Sequence, residues 1–148
     1  MILLLSTTTR ETPRAVEAAL SAARAAQVPL KVCFILDGSA LEAIRERLAR
    51  TGFAAEAGPR TTEAMADEYR SRAEAYLSQV AAAEPAVPVE TALIEGPFLD
   101  AARREVEGAQ RVFVSRKRRS QYSRILFEGA VEALMERAPG KVEIVDDD

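Results

Sequence analysis

The hydrophobic pattern of the chain alternates between two periods along nearly its whole length. Short runs rich in apolar residues predict strands at residues 2–5, 31–36, 89–94, 111–115 and 141–145, and the first two are expected to be buried parallel strands. Apolar residues spaced three and four apart predict helices at about 13–27, 39–51, 62–84, 98–110 and 123–137. Gly58-Pro59 predicts a loop over residues 52–60. Strands that alternate with helices indicate an α/β protein with a mostly parallel sheet.

Composition agrees with one globular domain that spans residues 1–148. The chain is 48% hydrophobic and 29% charged, and its net charge of -3 gives no reason to expect nucleic acid or a membrane as partner. The apolar start, Met1 to Leu5, is too short for a signal peptide or a membrane span. The single cysteine, Cys33, lies in an apolar run and is predicted to be a buried thiol. A chain without an internal disulfide fits the cytoplasm.

The absence of histidine excludes several chemistries at once. Ser-His-Asp and Cys-His catalysis and histidine-ligated zinc all need this residue, which the chain lacks. A single cysteine also excludes thiolate metal clusters. No carboxylate pair stands at a predicted strand end. We therefore predict no catalytic residue and no metal ligand, and an enzyme is the weakest of the functional hypotheses.

The segment from Arg111 to Gly129 carries the main functional question. It reads as a strand, a loop and a helix, which is the arrangement that binds phosphate in doubly wound α/β proteins. Such loops normally contain glycines, whereas this loop contains the basic run RKRR at residues 116–119. The acidic end, Asp146 to Asp148, is expected to be solvated.

Three stretches of the chain resemble the universal stress protein family. ILLLSTTTRETPRAVEAAL resembles the family's first strand, loop and helix, and VPVETALIEGPFLDAARREVEGAQ resembles its third strand, turn and helix. RVFVSRKRRSQYSRILFEGAVEALMERAPGKVEIV resembles its last unit. The resemblance implies a Rossmann-like, open five-stranded sheet of order 3-2-1-4-5 with helices on both faces. It also implies a homodimer that pairs through the last strand.

The last predicted strand, KVEIV, is an apolar edge strand that could form this dimer. Val142, Ile144 and Val145 are its candidate interface residues. A bare edge strand risks uncontrolled pairing, which favours a partner. The alternative is a monomer in which neighbouring charges and the acidic end protect the edge.

The ATP-binding members of the family resemble G-x2-G-x9-G-[ST] at the fourth strand, and their first strand ends in aspartate. Here Ser115 and Arg118 stand at the first two glycine positions, Glu128 at the third and Gly129 at the hydroxyl position. Thr7 stands at the aspartate position. Glycine lets backbone N–H groups surround phosphate oxygens, whereas arginine in the same backbone conformation is strained. The resemblance therefore implies a member that does not bind ATP in the usual way.

Two functional hypotheses remain open. The first is a non-enzymatic, dimeric stress-response or regulatory protein with no cofactor. The second is a sensor of ATP, AMP or another phosphate-bearing ligand, in which arginine side chains replace the missing backbone donors. Its candidate ligand-binding residues are Thr7, Thr8, Ser115, Arg116, Arg118, Arg119 and Gly129. Nucleic acid is a weaker partner because Tyr122 is the only aromatic residue near the basic run.

Overall fold

A computed structural model describes residues 1–7, 11–37, 53–117 and 121–147. Its strands are β1 (Ile2–Ser6), β2 (Leu30–Leu36), β3 (Val89–Glu95), β4 (Arg111–Arg116) and β5 (Val142–Asp146). Its helices are α1 (Pro13–Ala26), α2 (Phe53–Ala82), α3 (Phe98–Val106) and α4 (Gln121–Arg137). The predicted alternation of strands and helices is confirmed within this part of the chain.

The five strands form one parallel sheet in the order β3-β2-β1-β4-β5. This is the order that the resemblance to universal stress proteins implies. The central strand β1 pairs with β2 from Ile2↔Leu30 and with β4 from Ile2↔Arg111. All five residues of β1 are buried, as expected of a strand that is covered on both faces.

Side chains alternate between two cores along the strands. Ile2 and Leu4 point into a core that α1 and α2 close, whereas Leu3 and Leu5 point into a core that α3 and α4 close. The helices contribute apolar stripes to these cores, as helical periodicity requires. Among the side chains that the structure describes, the buried helix residues are Ala15, Ala19, Leu20 and Ala23 of α1, Ala73, Tyr76, Leu77 and Val80 of α2, Phe98, Ala101, Ala102 and Val106 of α3, and Val131 and Leu134 of α4. The expectation of helices on both faces is confirmed.

Tyr69 and Tyr76 are part of the first core. Their rings pack edge-to-face on Phe34 in β2, with centroid distances of 6.3 and 5.9 Å. The hydroxyl of Tyr76 lies 3.1 Å from Oγ1 of Thr12, where α1 begins. The two tyrosines therefore stabilise the packing of α2 on the sheet.

Some predicted boundaries differ from the structure. Residues 53–60 belong to α2, so the loop predicted around Gly58-Pro59 is wrong for that part. The alanines at 54, 55 and 57 have the highest helix propensity, and a proline within a helix can remove one hydrogen bond without ending it. The predicted short helix at 39–51 lies outside the described residues. Helix α3 ends at Val106, earlier than predicted.

Cys33 is expected to be unreactive in the folded protein. Its side chain is buried in β2, and burial raises the pKa of the thiol to about 12. Because the thiolate is the reactive species, labelling by a disulfide reagent near neutral pH is expected to proceed only through unfolding. Labelling in denaturant should reach one thiol per chain. Rapid labelling of the native protein would contradict the burial of Cys33.

Candidate functional site at the carboxyl ends of β1 and β4

Two serines lie side by side where β1 and β4 end. The register that pairs Leu5 with Val114 makes Ser6 and Ser115 neighbours. Both residues are buried, and strand alternation places both on the sheet face that α1 and α2 cover. Among the described residues, Oγ of Ser115 has no hydrogen-bond partner. This edge is where doubly wound sheets bind ligands, at the point where the strand order reverses.

Thr7 extends this edge beyond the end of β1. It is half-buried, and its carbonyl oxygen accepts a hydrogen bond of 3.3 Å from the hydroxyl of Tyr69. Thr8, the other candidate threonine, lies outside the described residues. The structure thus brings Thr7 and Ser115 to the same edge of the sheet.

Arg116, the first residue of the basic run, pairs with a carboxylate of the neighbouring strand. Its Nε and an Nη donate to the two carboxylate oxygens of Asp146 at 2.5 and 2.8 Å. Parallel pairing aligns the two residues directly, since Arg116 of β4 is the register partner of Asp146 in β5. Two parallel N–H···O bonds are the geometry by which arginine also binds phosphate. Asp146 therefore occupies the two donors of Arg116 that a phosphate would need.

Lys117 also has a partner within the chain. Its Nζ donates a hydrogen bond of 2.7 Å to the carbonyl oxygen of Glu11, just before α1. Arg118 and Arg119 lie outside the described residues. Both described cations of the basic run, Arg116 and Lys117, are thus engaged by groups of the protein.

The acidic end of the chain is not simply solvated, which corrects the expectation from sequence. Asp147 is only 9% exposed, and its carboxylate accepts hydrogen bonds from the backbone N–H groups of Arg14 (2.6 Å) and Ala15 (3.1 Å). These groups belong to the first turn of α1, which has no intrahelical acceptor. Thr12 occupies the N-cap position, but its side chain makes no capping hydrogen bond. A residue more than 130 positions away along the chain therefore caps α1.

Asp37 plays a similar part at the end of β2. One of its carboxylate oxygens accepts a hydrogen bond of 3.0 Å from the backbone N–H of Phe98, the first residue of α3. Sequence reasoning missed the roles of Asp37 and Asp147. A signal was present: each aspartate directly follows the carboxyl end of an apolar strand, the edge at which the helices of this fold begin.

Gly129 lies apart from the strand ends. It is an exposed residue in the interior of α4, about 12 Å along the helix axis from Gln121 at a rise of ~1.5 Å per residue. The structure therefore does not bring Gly129 together with Thr7 and Ser115.

The candidate interface residues Val142, Ile144 and Val145 are half-buried on β5, an edge strand of the sheet. Val142 and Ile144 pack against the core beneath α3 and α4, and Val145 packs against the opposite core. The outer edge of β5 therefore presents backbone groups rather than a free apolar face.

The Arg116–Asp146 pair is expected to make stability depend on pH in the acidic range. Hydrogen bonding to Arg116 lowers the pKa of Asp146 below its ordinary value of 3.8. A lowered folded-state pKa stabilises the protein above the unfolded value, and this contribution is lost as the pH falls through the folded value. Because the Arg116 and Asp146 side chains are 31% and 46% exposed, solvent screening keeps the effect below about 1 kcal/mol.

Urea unfolding of the protein and of Asp146→Asn, measured between about pH 6 and pH 2, checks this prediction. The unaltered protein should lose more stability on acidification than the variant. Arg116→Gln should reduce the pH dependence in the same way, because it removes the charged guanidinium that lowers the pKa of Asp146. Equal losses in all three proteins would contradict it.

Other site types find no support in the described residues. Within residues 1–7, 11–37, 53–117 and 121–147, no three histidine, cysteine, aspartate or glutamate side chains cluster as metal ligands. None of the helices described in these ranges is both long and apolar enough to cross a bilayer.

Solved structures similar to this fold include universal stress proteins. A complex with dAMP from Archaeoglobus fulgidus has a TM-score of 0.57 at 17% identity, covering 97% of this chain and 96% of that chain. A second structure of a universal stress protein from Archaeoglobus fulgidus has a TM-score of 0.55 at 17% identity and covers 97% of this chain and 92% of that chain. A universal stress protein in complex with cAMP has a TM-score of 0.52 at 18% identity and covers 100% and 98%.

No protein-family model matches the chain, and no curated protein matches it in sequence. Structural similarity over the whole length, at low sequence identity, identifies an architecture rather than an activity. The strand order, the parallel register and the helices on both faces agree with that architecture. The chain has the universal stress protein fold.

Proposed function

We propose that this chain is a single-domain, non-enzymatic regulatory protein of the cytoplasm that does not bind ATP in the way the family's ATP-binding members do. The observation that carries this proposal is the use of internal carboxylates at the candidate site. Asp146 pairs with Arg116, and Asp147 accepts from the first turn of α1. An arginine fork and a helix N-terminus are the two features of this edge that most favour phosphate.

A phosphate arriving at this edge has to compete with these carboxylates. Displacing Asp146 breaks two charge-assisted hydrogen bonds before any new one forms. Displacing Asp147 exposes the unpaired N–H groups of α1. If neither moves, their negative charges repel the polyanion. This competition supports a regulatory protein whose function does not depend on binding ATP.

Calorimetric titration with ATP, ADP, AMP and cAMP tests the proposal. We expect no saturable binding by the folded protein at micromolar concentration. Saturable binding that Arg116→Ala abolishes would reject the proposal. Arg72→Ala removes the same charge from an exposed position on α2 and serves as the control. ATP turnover by the pure protein would reject the non-enzymatic assignment.

The second candidate function is a nucleotide or anion sensor at the same edge. Two observations favour it. Oγ of Ser115 is buried without a partner among the described residues, so it could accept or donate a hydrogen bond to a ligand. Universal stress proteins of this fold have also been solved with dAMP and with cAMP. In the same titration, AMP or cAMP binding that Ser115→Ala weakens would support the sensor.

We also propose a homodimer that pairs through β5. The carbonyl of Lys141 and the N–H of Asp147 bond to β4, so strand alternation directs the backbone groups of Val142, Ile144 and Asp146 outward. Light scattering should give about twice the chain mass of 16.1 kDa. Ile144→Pro removes one outward N–H and should yield a monomer with an unchanged circular dichroism spectrum. A single 16.1 kDa species from the unaltered chain would overturn the dimer.

A further inference from the structure

We propose that a cleft near the amino ends of β4 and β5 binds a small organic oxyanion. The ligand would be a carboxylate or phosphate with a short apolar body. This basic cleft lies between the carboxyl ends of α3 and α4. Its volume is about 330 Å³, and it is lined by Arg103, Val106, Glu107, Leu134, Arg137, Ala138 and Lys141. It is independent of the proposed function, because its Lys141 bonds to Val112 near the amino end of β4 and Ser115 lies three residues further along that strand, roughly 10 Å away.

The charge of the cleft is opposite in sign to that of the whole chain. Arg103, Arg137 and Lys141 face one carboxylate, that of Glu107, although the chain carries a net charge of -3. Lys141 donates a hydrogen bond of 2.9 Å to the carbonyl oxygen of Val106, the last residue of α3, which fixes its ammonium at the cleft. An ammonium has three donors, so this bond leaves two of them for a ligand.

The two arginines of the cleft differ from five other described arginines, which pair with carboxylates. Within the part of the chain that the structure describes, neither Arg103 nor Arg137 lies within ion-pair distance of a carboxylate. Arginines that do pair are Arg24 with Glu84, Arg70 with Asp67 and Glu95, Arg72 with Glu68, Arg111 with Glu143 and Arg116 with Asp146. No ion pair among the described residues therefore neutralises the guanidinium charges of the basic cleft.

Arg103 supplies a second, independent observation. Its Nε is buried and has no hydrogen-bond partner among the described residues. A buried donor on a charged group is costly to leave unpaired, and native proteins satisfy almost all such groups. A small rotation of the Arg103 side chain would bring this N–H to the cleft, where an oxyanion would accept from it and from the adjacent Nη in the two-point geometry that guanidinium groups favour.

The apolar floor of the cleft indicates that the ligand carries an apolar group beside its oxyanion. Val106 and Leu134 are 5% and 1% exposed, and Ala138 lies beside them. An apolar group on the oxyanion would cover this floor and gain hydrophobic contact. The volume is near the lower end of the range for ligand pockets, roughly 300–1,000 Å³. A small amphipathic anion fits these properties better than a nucleotide or a peptide.

Methyl and amide NMR of the full chain, titrated with hexyl phosphate, hexanoate and inorganic phosphate in chloride buffer, tests the proposal. Hexyl phosphate should shift the signals of Val106 and Leu134 saturably. It should bind several-fold tighter than inorganic phosphate because its chain contacts the floor. Comparison of hexyl phosphate with hexanoate distinguishes a phosphate ligand from a carboxylate ligand.

Arg103→Gln should weaken the binding about tenfold or more, as expected for loss of a charge-assisted contact. Arg104→Gln is the matched control, since it removes the same charge from the same helical turn at an exposed position outside the cleft. Its effect should be about twofold at most. If Arg103→Gln does not fold, Arg137→Gln takes its place. Unsaturable shifts at millimolar probe, equal losses in both variants, or shifts centred on Ser6 and Ser115 would each overturn the proposal.

Discussion

Phe34→Ala is expected to lower the free energy of unfolding by about 3–5 kcal/mol. Phe34 is fully buried in β2, between its register partners Ser6 in β1 and Leu93 in β3. Its ring holds the two edge-to-face contacts with Tyr69 and Tyr76 of α2. Removing the ring leaves a cavity and ends both aromatic contacts.

A loss of this size is a large share of the total stability of a domain, typically about 5–15 kcal/mol. Urea unfolding followed by circular dichroism measures it. Phe34→Leu keeps most of the volume and should lose less, which provides a measurable variant if Phe34→Ala does not fold. Met135→Ala is the control, since this side chain is 40% exposed and its loss should change stability by about 0.5 kcal/mol or less. Equal effects at positions 34 and 135 would contradict this account of the core.

The strands and most helices could be predicted because buried strands are rich in apolar residues and packed helices carry an apolar stripe. β1 is apolar from Ile2 to Leu5 and β2 from Val32 to Leu36, and α1 shows an apolar stripe. The strand order came from the resemblance to universal stress proteins and is confirmed. The beginning of α2 was missed because a Gly-Pro pair is typical of a turn, although the neighbouring alanines favour a helix.

The candidate site was harder to predict, because its contacts join residues distant in sequence. The basic run was identified as the central feature, but a sequence does not say which carboxylate will lie opposite each arginine. Parallel register decides that Asp146 meets Arg116, and it also carries Asp147 to the start of α1. Charge patterning alone treats a terminal acidic run as solvated. The residue-level pairing therefore follows from topology rather than from local pattern.

The largest consequence of this topology at the candidate site is expected at Asp147. Asp147→Ala should lower the free energy of unfolding by about 2 kcal/mol, because it leaves two N–H groups of the first turn of α1 without an acceptor. The carboxylate also interacts favourably with the positive end of the helix dipole. The backbone N–H of Asp147 continues the ladder to Arg116, so the cap joins β5, β4 and α1 at one point.

Chemical denaturation of Asp147→Ala and Asp147→Asn separates the contribution of the hydrogen-bond acceptor from that of the negative charge. Asparagine keeps an oxygen acceptor but loses the charge, so its loss should be about half that of alanine. Glu132→Ala, which removes an exposed carboxylate from α4, changes the net charge equally and should be near neutral. If Asp147→Ala is no more destabilising than Glu132→Ala, the carboxylate does not cap α1 in solution. The N-terminus of α1 would then be open to an external anion, and Asp146 alone would exclude phosphate from this edge.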